Sequence, residues 1–134
     1  MLTQKRVLFV CTGNTCRSPM AAGIVNFFLS DEWQAVSAGV EPGTAVNPNS
    51  LAVMDELNID IREHEPRPIE DYQGQYFELV IVLGEYPYTQ FTAWPEIGEL
   101  ILMPFEDPYG QSIDVYRQTR DNLQAKLLPF LGDK

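Results

Sequence analysis

The chain has 134 residues, 45% hydrophobic and 21% charged, which is enough apolar content for one buried core and too little length for two domains. Nine Lys plus Arg stand against 19 Asp plus Glu, a formal charge of −10. That balance excludes a non-specific nucleic-acid binder and a surface that docks on anionic membranes, since both need an excess of basic residues. Any phosphate-bearing substrate has to be drawn in by a local positive site.

The two cysteines, Cys11 and Cys16, lie too close together to staple a fold. The first apolar run, Val7-Leu8-Phe9-Val10, is shorter than a secretory h-region of about 7–15 residues. No stretch approaches the roughly 18 apolar residues of a membrane span. These features predict a soluble protein of a reducing, cytoplasmic compartment.

Val7-Leu8-Phe9-Val10 reads as a strand buried on both faces of a parallel sheet. It runs into Gly13 and Asn14, which tolerate left-handed backbone. Ser18-Pro19 suits the first turn of a helix that carries Met20, Ile24, Phe27 and Phe28 at helical spacing. Residues 35–39 predict a second short strand, and Asn47-Pro48 opens a second amphipathic helix with Leu51, Met54 and Leu57. The polar stretch 63–75, with Pro66 and Pro68, reads as a loop with at most a short helix, and its His64 as a surface residue. Glu70, Asp71 and Glu78 have no metal-ligand spacing and read as a solvated face. Residues 79–83 form a buried strand closed by Gly84, and 100–103 a fourth closed by Pro104. The longest helical pattern spans 113–131, with Val115, Tyr116, Leu123, Leu127 and Leu128 on its apolar side. Alternating strands and helices predict one α/β domain over 1–134, a central parallel sheet of about four strands with helices on both faces. Trp33 and Trp94 fit core or rim equally well.

The run Cys11-Thr12-Gly13-Asn14-Thr15-Cys16-Arg17-Ser18 follows a strand and precedes a helix, at the sheet edge where α/β proteins bind ligands. A loop curling into a helix N-terminus turns successive N–H groups inward and adds the positive end of the helix dipole. Gly13 and Asn14 permit that path, and Arg17 supplies a planar fork matched to two phosphate oxygens. Cys11 then faces the bound phosphorus from below, in a positive environment that favours the thiolate. Ser18 is placed to donate its hydroxyl to the sulfur. The loop lacks the spacing and the Gly-Lys-Ser/Thr ending of a nucleotide-binding P-loop. Phosphoryl transfer to a thiolate also needs a proton for the departing group. Asp107-Pro108-Tyr109 follows the fourth strand, on the same sheet edge, so Asp107 can supply it and Tyr109 either walls the pocket or merely packs.

Together these residues resemble the low-molecular-weight protein tyrosine phosphatase family, over nearly the whole chain: the loop from Cys11 to Pro19, Ser37-Ala38-Gly39, the helix opened by Asn47, and Asp107-Pro108-Tyr109. The resemblance implies that Cys11 is the nucleophile, that Arg17 holds the phosphate, and that Asp107 is general acid and then base. It implies that Asn14, Ser18 and Ser37 hold the loop by hydrogen bonds. Residues 110–114 and 118–121 look most like the bacterial branch of protein arginine phosphatases, and Thr15 matches the threonine associated with that specificity. Leu83-Gly84 departs from the Met-Asp pair common in the family, and the 85–99 stretch is short. The expected reaction is metal-free and cofactor-free hydrolysis of phosphoarginine and/or phosphotyrosine in protein substrates, through a cysteinyl-phosphate. An arsenate reductase of the same fold is the nearest rival, and the absence of a later cysteine to act as a resolving thiol counts against it. A non-catalytic phosphoprotein-binding module would have no need of Cys11 and Asp107 together. Cys16 admits two readings, a redox partner that protects Cys11 in a reversible disulfide or a space-filling thiol.

Overall fold

The structure is a computed structural model that describes residues 4–84 and 94–134. Four parallel strands, β1 (Lys5–Cys11), β2 (Trp33–Gly39), β3 (Tyr76–Val82) and β4 (Glu96–Leu102), form one sheet in the order β2-β1-β3-β4. β1 is paired on both sides, which is why Val7 to Val10 are fully buried and read as an unbroken apolar run. Cys11 pairs in register with Gly39, so the loops leaving β1 and β2 start side by side at the carboxyl edge. The site predicted from sequence therefore opens where the strand order reverses around β1.

Among the described residues, three α-helices, α1 (Arg17–Phe28), α2 (Pro48–Asp55) and α3 (Ile113–Gly132), share one core with Val7, Phe9, Leu79 and Ile81. Leu8, Val10, Val80 and Val82 belong to a second cluster, closed by Ile69 and Tyr72 of a 3-10 helix, Ile69–Tyr72, that lies within the predicted loop. The single domain and its four-stranded parallel sheet accord with the sequence reading; the α-helices described cover one face, and the 3-10 helix lies on the other. Asn47 caps α2 by accepting the Asn49 N–H at 2.9 Å, with Pro48 at the first helical position. Trp33 belongs to the core and donates its indole N–H to the Leu131 carbonyl at 3.1 Å, fastening the end of α3 to β2. Trp94 is half-buried against the second cluster.

Three expectations need correction. Phe27 and Phe28 are 51% and 43% exposed and meet edge to face at 4.9 Å. The buried stripe of α1 is Met20, Ala21, Ile24 and Val25, and Leu29 rather than Phe28 packs against the core beyond it. Glu78 is half-buried, and its carboxylate accepts the Arg6 N–H of the neighbouring strand. His64 leaves the surface, as described below. The predicted departure over 85–99 falls largely on residues 85–93, which lie outside the described residues. No helix among the described residues is long and apolar enough to cross a membrane.

Glu56, just past α2, joins that helix to α3. Its carboxylate accepts from Arg117 Nη2 at 2.8 Å and Arg120 Nη1 at 2.7 Å, and Arg120 also donates to the Val53 carbonyl at 2.8 Å. Bonds from Arg117 and then Arg120 hold the Glu56 carboxyl down at about 2, below its ordinary 4.5. A depressed carboxylate stabilises the fold above its ordinary range, and that contribution is lost as the pH falls towards about 2. Glu56→Gln should therefore lower the urea midpoint at neutral pH, and the gap to the unsubstituted protein should close on acidification through that window. An unchanged gap at the acid end would assign the effect to packing.

Candidate active site

Residues 12–16 bend sharply between β1 and α1, with Asn14 in the left-handed region at φ 56°. The polar groups of this loop are sorted by direction. Its carbonyls are bonded outward: Cys11 O receives Val40 N at 3.2 Å, Thr12 O receives Glu41 N at 2.9 Å, Gly13 O receives Gly43 N at 2.9 Å, and Thr15 O receives Asn47 N at 2.9 Å. Among the described residues, none of the backbone N–H groups from Thr12 to Arg17 is given to a protein acceptor. These donors sit at the N-terminus of a 12-residue helix and are available to an oxyanion.

Asn14 is fully buried beneath the loop and uses every polar atom of its side chain. Its amide donates to Ser18 Oγ at 2.7 Å and Ser37 Oγ at 2.9 Å, and its carbonyl accepts the Arg67 N–H at 3.0 Å. Ser18 Oγ lies 2.8 Å from Cys11 Sγ. Because Asn14 already donates to that oxygen, the Ser18 proton is free to point at the sulfur. His64 Nε2 lies 3.3 Å from Ser37 Oγ, which makes the histidine part of this support. Burial pushes the His64 pKa down, opposed by a bond to the Asn14 backbone. Its placement follows from the Gly39 N–H bonding the Arg67 carbonyl at 2.9 Å, which draws the 64–68 segment alongside the end of β2. That pairing is tertiary, and the local sequence carries no sign of it.

Arg17 is buried, with Nη1 bonded to the carbonyls of Leu83 at 3.3 Å and Phe105 at 3.1 Å. The guanidinium is thus tethered to the ends of β3 and β4 before any ligand arrives. Nη2 reaches Thr12 Oγ1 at 3.4 Å and Asp107 Oδ2 at 3.5 Å, while the buried Nε has no partner among the described residues. Asp107 is half-exposed at the mouth, and its other oxygen accepts the Tyr109 N–H at 3.1 Å.

Cys11, Thr12, Gly13, Thr15, Cys16, Arg17, Asp107 and Tyr109 all line one cavity of about 510 Å³. Asn14 and Ser18 lie below it, out of contact with the opening. Tyr109 is 69% exposed, so it walls the mouth rather than packing in the core. Thr15 has its hydroxyl 3.7 Å from Cys16 Sγ and its methyl against Gly43. Cys16 is a free, buried thiol 3.7 Å from the Tyr116 hydroxyl, and burial pushes its pKa up. The opposite wall, residues 41–48, was not anticipated from the sequence. Its one legible sign is that it follows Ser37-Ala38-Gly39 at the same sheet edge.

The arrangement is a polarised anion cradle with a sulfur at its floor and a carboxyl group at its mouth. A family model for low molecular weight phosphotyrosine protein phosphatase matches residues 6–133. The chain belongs to that family. An arsenate reductase from Halalkalibacterium halodurans is 35% identical over 135 residues, covering 96% of each chain. A solved arsenate reductase in the phosphate-binding state superposes with a TM-score of 0.87 at 30% identity, covering 97% of this chain and 98% of the other. The YwlE arginine phosphatase, solved as a mutant with a phosphorylated active-site serine, superposes with a TM-score of 0.81 at 27% identity, covering 96% of this chain and 94% of the other.

A Cβ on Gly39 would lie 2.8 Å from the Thr12 carbonyl and 3.0 Å from the Asn14 backbone nitrogen. Backbone cannot step aside as a flexible side chain can. Gly39→Ala should cost about 1–3 kcal/mol of stability and loosen the cradle, read as a lower urea midpoint together with weaker vanadate binding. Native-like affinity and stability in this variant would show that the loop tolerates displacement at this contact.

Proposed function

We propose that this protein is a cysteine-dependent protein phosphatase that hydrolyses phosphoarginine and/or phosphotyrosine through a cysteinyl-phosphate. The observation that carries the reading is the unspent ring of N–H donors from Thr12 to Arg17 above the sulfur of Cys11. In this reading the donors and Arg17 Nε receive the equatorial phosphoryl oxygens, and Cys11 Sγ attacks phosphorus in line. Asp107 protonates the leaving nitrogen or oxygen, then takes a proton from the water that hydrolyses the thiophosphate. The Ser18 hydroxyl stabilises Cys11 as the leaving thiolate. The residue supports Asn14, Ser37 and His64 act below the site, on the loop rather than on the substrate.

The names of the relatives favour a second reading, an arsenate reductase. Reduction of arsenate consumes two electrons from thiols. The chain's only cysteines, Cys11 and Cys16, both lie in the loop, so the electrons come either from formation of a Cys11–Cys16 disulfide or from an external thiol, and repeated turnover needs an external thiol in both cases. Arsenate-dependent oxidation of a supplied thiol, set beside phosphate release from phosphopeptides, separates the two. Phosphopeptide turnover without arsenate-dependent thiol oxidation is the outcome expected here.

Asp107→Ala should slow turnover by about 10²–10⁴-fold on substrates with poor leaving groups. With nitrophenolate as leaving group the loss should be much smaller. An equal loss on both would make Asp107 structural.

Preference for phosphoarginine over phosphotyrosine is supported by Thr15, which lines the cavity with its methyl held against Gly43. The polar hydroxyl and the acidic mouth suit a planar guanidinium better than a phenol. Thr15→Ile trades the hydroxyl for apolar bulk and should move the kcat/KM ratio towards phosphotyrosine by more than about threefold. A smaller shift removes Thr15 as the specificity residue.

A further inference from the structure

Glu41 is the one charged residue of the 41–48 wall, and nothing above uses it. Its backbone is pinned to the phosphate loop: Glu41 N bonds Thr12 O at 2.9 Å, and the preceding Val40 N bonds Cys11 O at 3.2 Å. The residue is thereby fixed beside the nucleophile's own strand end, and it lines the active cavity. Among the described residues its exposed carboxylate makes no hydrogen bond and no ion pair. Asp107, the other acid among the described residues lining the cavity, is already engaged by Arg17 and by the Tyr109 N–H.

An unspent carboxylate at this place opposes the entry of a phosphoryl dianion. Arg17 is the only cation among the described residues lining the cavity, and the chain as a whole carries a charge of −10. Glu41 thus works against the anion unless the substrate brings a positive charge of its own to the wall. The rest of the wall is uncharged, and across the mouth Tyr109 presents an aromatic ring that is 69% exposed and receptive to a cation. We propose that Glu41 is a specificity-determining residue that receives a lysine or arginine side chain flanking the phosphorylated residue of a protein substrate. The proposal rests on the phosphoprotein reading above and adds to it the chemical class of the substrate sequence: basic next to the phosphorylated residue, not acidic. It is separate from the choice between phosphoarginine and phosphotyrosine, because the cation it concerns is a neighbour in the chain.

The test measures binding, so that it does not depend on turnover. Cys11→Ser, which leaves the loop donors and Arg17 in place, is titrated with two phosphotyrosine peptides that differ only in carrying Lys or Glu beside the phosphorylated residue. The Lys peptide should bind about tenfold tighter, attraction and repulsion each supplying about threefold. Adding Glu41→Gln should cut that preference to about threefold or less, and Glu41→Lys should invert it. Asp31→Asn removes one exposed charge outside the cavity lining and serves as the control for net charge, with the tenfold preference expected to persist. A preference that Glu41→Gln leaves intact, or that Asp31→Asn abolishes equally, overturns the assignment to Glu41. If neither peptide binds, the same Lys and Glu pair is titrated with phosphoarginine in place of phosphotyrosine; failure of all four counts against the phosphoprotein reading itself and takes this proposal with it, whereas equal binding within a pair overturns this proposal alone.

Discussion

Everything at this site depends on how the backbone of residues 11–17 divides its hydrogen bonds. A loop that turns its N–H groups towards one point must send its carbonyls the other way, and buried carbonyls need donors. The strand end and wall that follow β2 supply four of them, from Val40, Glu41, Gly43 and Asn47. The substrate wall is therefore built directly on the anion cradle, and the two cannot shift independently. Asn14 is the pivot of this division. Its left-handed backbone sets the turn, and its side chain ties the loop to Ser18, Ser37 and the 67 backbone in one step.

The same arrangement resolves an electrostatic conflict. A chain with 19 acidic residues against nine basic ones repels phosphate at long range. At short range the unspent N–H groups, the positive end of α1 and the tethered Arg17 reverse the sign within one cavity. Leu83 and Phe105 hold Arg17 through neutral carbonyls, which fix its orientation without cancelling its charge. Asp107 touches it at the mouth from a half-exposed position, open to both solvent and the cavity.

Where local chemistry decides structure, the sequence was readable. The apolar run of β1, the turn at Gly13 and Asn14, the Asn47-Pro48 cap and the loop from Cys11 to Ser18 all carry their conformation in a few adjacent residues. The sequence therefore located the sheet, the succession of strands and helices along the chain, and the Cys11 loop and Asp107 that meet at its carboxyl edge. What it did not reveal depends on distant partners. His64 looks like a surface residue until the end of β2 pairs with the 67–68 backbone. The Glu56–Arg117–Arg120 junction joins residues more than 60 apart, and a burial pattern cannot announce it. Phe27 and Phe28 keep helical spacing yet fall beyond the buried stripe of α1, because spacing selects a face and only packing decides where that face ends. Family membership and the architecture are settled by these features, while the choice of substrate turns on a few side chains of the wall and the loop.

The central claim is that Cys11 carries the phosphoryl group during turnover. Rapid acid quench of the Asp107→Ala variant with nitrophenyl phosphate, whose leaving group needs no proton from Asp107, followed by peptide mass mapping, tests it most directly. This variant is impaired in hydrolysis of the intermediate, so a fraction of the protein should carry a phosphoryl group on Cys11 and none on Cys16 or Ser18. Continued phosphate release with no adduct on Cys11, or with the adduct on another side chain, would contradict the account.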